Sequence, residues 1–204
     1  MGRYDLAMGV GIVVHLMMKR IAETSPRCKA RMAGASYFLS LLAAVFAEFF
    51  VRGSLGIAAG LVAVVFYVAV TLLLYDIFQP VNRTLSLLAA FFNLVGLTFE
   101  GLQWNPRRVD IGLVFFGFYC LLLGYLIFKS AFLPRILGAL VVFAGLAWLT
   151  FLSPALAQDL ALYNLASGLV GEGSLMVWLL VMGVRRQKKA SAEGAWASIP
   201  VSTS

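Results

Sequence analysis

The chain has 204 residues, of which 62% are hydrophobic and 12% charged, with a mean hydropathy of +0.94. An average soluble domain is about a quarter charged, and here the apolar residues come in long blocks. That excludes a water-soluble enzyme, a disordered chain and a disulfide-stapled secreted module. The net charge of +7 would point to nucleic acid in a soluble protein, but the basic residues gather at the ends of hydrophobic runs, so the expected partner is a lipid bilayer and not nucleic acid.

Residues 1–31 read as a basic N-terminal segment. Within it, Leu6 to Met18 is apolar but shorter than the roughly 20 residues a spanning helix needs. It reads as an interfacial helix, with a tilted short span as the alternative. Residues 32–184 hold six segments of spanning length, about Met32 to Val51, Gly56 to Phe78, Thr84 to Trp104, Val109 to Phe128, Pro134 to Leu152 and Leu160 to Val184. Lipid offers backbone groups no partners, so each is expected to be a helix. The predicted fold class is all-α, an integral membrane six-helix bundle with the short N-terminal helix as an addition. The linkers between segments carry the breakers Gly53, Pro80, Pro106 and Pro154. Residues 185–204 read as a disordered tail.

Lysine and arginine set the orientation. If the first segment runs outward, thirteen basic residues fall inside and only Arg52, Arg107 and Arg108 fall outside. Both ends of the six-helix body, the tail included, are then cytoplasmic.

Charged side chains within a span each ask for an explanation, because burying one in hydrocarbon costs a few kcal/mol. Glu48, Asp76, Glu100 and Glu172 lie inside the segments. At about 1.5 Å per residue, Glu172 falls near mid-membrane, Glu48 and Glu100 near the outer edge, and Asp76 near the inner edge. Asn164, Gly168 and Glu172 recur at four-residue steps on one helical stripe. Asn93, Gly96 and Glu100 make a similar stripe on the third segment. If the third and sixth segments are neighbours, Glu100 meets Asn164 and Asn93 meets Glu172 in two carboxyl–amide tiers, with Glu48 joining the outer one. Tyr67, Thr71 and Tyr119 fall near mid-depth and are expected to line the same cavity. The candidate ligand-binding residues are thus Glu172, Glu100, Asn93, Asn164, Glu48 and Tyr119.

Each carboxylate also has a plain structural reading. Glu48 has Arg52 one helical turn on, and Asp76 is near enough to the edge to snorkel or to pair with Arg83. Glu100 lies near enough to the outer edge to reach the headgroups beside Arg107 and Arg108, and Glu172 reads as a buried acid hydrogen-bonded to a neighbouring helix. The aromatic-rich stretches read as lipid-facing and packing surface. Cys28, Cys120 and the lone His15 make no metal spacing. No nucleotide, redox or hydrolase motif appears, so no metal, cofactor or catalytic residue is assigned.

Several stretches resemble a bacterial family of small multi-pass membrane proteins, domain of unknown function 4386. They are ARMAGASYFLSLLAAVFAEFFVRGSL from Ala30, LLLYDIFQPVNRTLSLLAAFFNLV from Leu72, LVFFGFYCLLLGYLIFKSAFLPRILGALVVFAGLAWL from Leu113 and GEGSLMVWLLVMGVRR from Gly171. QPVNR and FLPRILG are the more specific phrases. Family members often carry a basic residue at the position of Asn93 and a histidine at that of Tyr119, and this chain departs from both. The resemblance implies a bacterial plasma-membrane protein and supplies no activity.

The function these residues favour is binding, or transport-like handling, of a cation or small amphipathic ligand in an intramembrane polar cavity. One alternative is a membrane-embedded acid–base enzyme acting on a lipid or isoprenoid, with Glu172 as general acid. Another is an accessory subunit whose small-residue stripes bind a membrane-protein partner.

Overall fold

The computed structural model describes residues 25–49, 54–102 and 109–184, the side chains of 48, 49 and 54 excepted. The expected N-terminal interfacial helix, His15, Arg52, Arg107, Arg108 and the tail lie outside the described residues. Every regular element described is a helix: α1 Pro26–Phe49, α2 Ser54–Phe78, α3 Arg83–Leu102, α4 Ile111–Lys129, α5 Arg135–Trp148, α6 Pro154–Asp159 and α7 Ala161–Val181. A 3-10 turn, Leu149–Leu152, extends α5. All but α6 are long and apolar enough to cross a membrane. The chain is a multi-pass membrane protein, and α2 with 25 residues is about 37 Å long at helical rise.

Local chemistry sets the ends. Ser25 precedes Pro26, and its carbonyl accepts from the Lys29 N–H at 3.0 Å. Proline suits the first helical turn, where its missing N–H is no loss. The first helix therefore begins six residues before the apolar run that marked it, because its opening turns carry Arg27, Lys29 and Arg31. The Asn82 side chain accepts from the Leu85 N–H at 3.0 Å, and Asp110 does the same for Leu113 at 3.1 Å, so α3 and α4 both start on side-chain caps. The linker after α5 contains the six-residue helix α6 with Pro154 in its first turn.

The six long helices close into a ring in chain order. Each packs on the next, α5 packs on α7, and α7 returns to α1. Glycines let several of these seams close to backbone distance. A Cβ on Gly96 would stand 2.8 Å from the Gly112 carbonyl oxygen, one on Gly124 2.8 Å from that of Gly138, and one on Gly171 2.6 Å from that of Leu140. Large apolar side chains such as Val65, Leu72, Leu87 and Leu162 point outward and are exposed, as expected where the solvent is lipid.

The inside of the ring is uneven. Toward the α2–α3 turn it is filled by an apolar core that includes Val70, Leu74, Phe78, Leu126, Ile127 and Leu179. Toward the other end it encloses a cavity of about 650 Å³. At the packed end, Lys29 of α1 forms an ion pair with Asp76 of α2, and Gln79 donates to the same carboxylate at 2.7 Å. The expected partner Arg83 is instead exposed, since it sits on α3 beyond the turn while Lys29 faces Asp76 across the α1–α2 seam.

Candidate functional site

Glu172 lies midway along α7, and its carboxyl forms the floor of the cavity. Three aromatic donors surround it. The Tyr37 hydroxyl of α1 donates to Oε2 at 2.6 Å, and the Trp148 indole N–H at the end of α5 donates to Oε1 at 2.9 Å. The Tyr67 hydroxyl of α2 lies 2.8 Å from the Tyr37 hydroxyl and 3.5 Å from Oε2. An indole N–H can only donate, so both carboxyl oxygens serve as acceptors. The rings form a wall. Tyr37 meets Tyr67 edge-on at 5.0 Å, Tyr67 meets Phe116 at 5.7 Å, and Phe116 meets Trp148 at 5.9 Å between centroids.

Gly168 explains how Trp148 reaches this position. A Cβ on Gly168 would stand 2.6 Å from Cζ2 of Trp148, so the absent side chain seats the indole against α7, one turn before Glu172. The stripe of Asn164, Gly168 and Glu172 does admit a close neighbour, and that neighbour is a tryptophan ring.

The two asparagines do not join the carboxylates. Asn93, fully buried, donates through Nδ2 to Thr71 Oγ1 at 2.6 Å. Thr71 in turn donates to the Tyr67 carbonyl at 2.9 Å. Asn164 repeats the pattern. It donates to Thr150 Oγ1 at 2.8 Å, and Thr150 donates to the Ala147 carbonyl at 2.7 Å, in the peptide unit that precedes Trp148. Each asparagine thus braces the backbone of a residue that contacts Glu172. Asn164 also lines a separate hollow of about 640 Å³ that includes Asp110 and shares Trp148 as a wall.

The two expected tiers do not form, because α3 and α7 are not neighbours in the ring. Glu100 nevertheless lines the same cavity as Glu172, on the α3 side near the hollow end. Glu48 is on the last turn of α1, and its side chain lies outside the described residues. Tyr119 is buried and packs its ring 5.6 Å from Phe116. Its hydroxyl, Asn93 Oδ1 and Asn164 Oδ1 are buried polar atoms with no hydrogen-bond partner among the described residues.

Tyr37 and Trp148 are absent from the candidates read in the sequence. A signal existed for Tyr37: tyrosine gathers at membrane interfaces, yet this one lies midway along α1. The described residues contain no cluster of three metal-ligating side chains.

Residues 102–183 match a family described as domain of unknown function (DUF4386). The resemblance read from the sequence is upheld over α4 to α7, which carry Trp148 and Glu172, while Tyr37 and Tyr67 fall outside the matched stretch. An uncharacterized protein of Archaeoglobus fulgidus is 29% identical over 129 residues, covering 57% of this chain and 76% of the relative. No solved structure matches significantly. DUF4386 carries no assigned activity, so chemistry must come from the cavity.

Proposed function

We propose that the cavity binds an organic cation with an apolar body, and that Glu172 is its counter-ion. The observation that carries this reading is the Glu172 carboxyl on the cavity floor, held by neutral donors with no cation paired to it among the described residues. A carboxylate removed from water is stabilised by an adjacent positive charge, and leaving it unpaired costs several kcal/mol. The Tyr67, Phe116 and Trp148 rings supply the remaining recognition, since a cation over an aromatic face gains about 0.5–2 kcal/mol. The volume suits a small ligand.

The distribution of lysine and arginine supports both ends of the six-helix body lying in the cytoplasm, and the resemblance to DUF4386 supports a bacterial plasma membrane. The hollow half then faces outward, and Glu172 sits at mid-depth. Glu172→Gln keeps the side chain's size and removes its charge. In purified protein, titration calorimetry with tetramethylammonium should show at least tenfold weaker binding in this variant, with folding retained by circular dichroism. Equal affinity for wild type and variant would remove Glu172 from the site.

A further inference from the structure

The cavity has a side as well as a floor. The hydrogen bonds described between α2 and α3, from Ser86 to the Tyr75 carbonyl at 3.1 Å and from Asn93 to Thr71 at 2.6 Å, both lie in the half of the pair nearer the α2–α3 turn. In the other half, Ile57, Gly60 and Leu61 of α2 and Leu97, Gly101 and Leu102 of α3 line the cavity. Ile57, Leu61 and Leu102 are also among the exposed apolar residues, at 61%, 52% and 71%. The same side chains therefore border the cavity and are exposed, so the cavity is open where these halves of α2 and α3 meet.

The glycines separate this seam from the others. Where Gly34, Gly96, Gly124 and Gly171 sit, a Cβ would stand 2.5–2.8 Å from an atom of the neighbouring helix. At Gly60 and Gly101 a Cβ would meet no atom of the described residues within 4 Å. These two glycines keep space open without serving helix packing. Below the floor, the apolar core closes the ring toward the other end.

We infer that the α2–α3 seam is a lateral portal, and that the ligand is a single-chain cationic amphiphile whose head sits at Glu172 while its chain passes between Gly60 and Gly101 into the bilayer. This rests on the proposed cation site and adds the class of ligand and its path. A hydrocarbon chain laid in the seam keeps apolar surroundings along its whole length, from the cavity into the lipid, whereas a water-borne ion has no use for an apolar slot.

The test uses the full chain in nanodiscs with two probes, dodecyltrimethylammonium and its chainless counterpart tetramethylammonium. The double variant Gly60→Trp/Gly101→Trp fills the seam. It should weaken dodecyltrimethylammonium binding at least tenfold more than it weakens tetramethylammonium binding, while Glu172→Gln should weaken both. Equal losses for the two probes, or no loss for either, overturn the portal and leave the cation site standing. If neither probe binds wild type, the cation site itself falls, and the portal with it. A second measurement needs no variant. Dodecyltrimethylammonium carrying a mid-chain diazirine should crosslink wild type at Ile57, Leu61, Leu97 or Leu102, and adducts confined to other helices overturn the portal.

Discussion

Replacing Gly168 with alanine tests whether the Trp148 indole is held where the carboxyl needs it. The new methyl would lie 2.6 Å from Trp148 Cζ2 and 3.2 Å from Cε2, well inside contact distance, so the indole must move. Overpacking of this kind costs about 1–3 kcal/mol. Displacing the ring also breaks the 2.9 Å bond from its N–H to Glu172, and a hydrogen bond to a charged group contributes about 1.5–3 kcal/mol. Helix propensity works in the opposite direction, because alanine is favoured over glycine by up to about 1 kcal/mol. Gly173→Ala supplies the matched control: it lies on the same helix, and among the described residues its Cβ would meet only a Leu169 methyl at 3.9 Å. The propensity gain cancels between the two variants, leaving a difference of roughly 2.5–6 kcal/mol. At about 2–4 °C per kcal/mol for a chain of this size, Gly168→Ala should melt on the order of 5–20 °C below Gly173→Ala in detergent. A second variant sharpens the result. With Trp148→Ala in place, adding Gly168→Ala should cost far less than in wild type, since the clashing ring is gone. Equal melting temperatures for the two single alanine variants would refute the seating of Trp148 by Gly168.

Three further outcomes follow from named contacts. Asn93→Leu should leave melting unchanged or raise it, by up to about 1–3 kcal/mol, because it removes a buried carbonyl oxygen that has no described partner while Thr71 keeps its bond to Tyr67; a drop of several degrees would show that Asn93 Oδ1 is engaged. Lys29→Met should destabilise by about 1–2 kcal/mol, discounted for the partial exposure of the pair, and adding Asp76→Asn should recover part of that loss, as read from a double-mutant cycle of thermal unfolding. Tyr37→Phe should weaken tetramethylammonium binding more than Tyr67→Phe in calorimetry, because the Tyr37 hydroxyl is 2.6 Å from the Glu172 carboxyl and that of Tyr67 is 3.5 Å away; the reverse order would show that Tyr67 is the main donor.

Depth was legible in the sequence and direction was not. Hydropathy locates all six spanning helices, and counting residues places Glu172 midway along its helix, where the structure has it. Nothing in one sequence states which helices touch. Asn93 was matched to Glu172 by depth, yet its helix lies away from α7 and its amide goes to Thr71 on α2. Asp76 reads in the sequence as snorkelling or as pairing with the nearby Arg83, while its partner Lys29 is forty-seven residues away in sequence. Trp148 escaped notice because an aromatic residue at a helix end looks like an interfacial anchor until its N–H is seen to turn inward. The start of α1 was missed because a basic helical turn and a basic loop have the same hydropathy.

The uneven filling of the ring gives the bundle a gradient of stiffness along the membrane normal. Where Phe78, Leu126, Ile127 and Leu179 interlock, each helix is clamped by its neighbours. Beyond Glu172, α2 is still tied to α1 by the bond from Ser40 to the Ala63 carbonyl at 2.8 Å and α3 still packs on α4 through Gly96, but the space between α2 and α3 is not filled. Separation of α2 from α3 is therefore expected to concentrate in this half, with the Asn93–Thr71 hydrogen bond as its limit. Backbone amides of residues 56–64 and 97–102 should therefore exchange with deuterium sooner than those of residues 70–78 and 86–93, although all four stretches are helical.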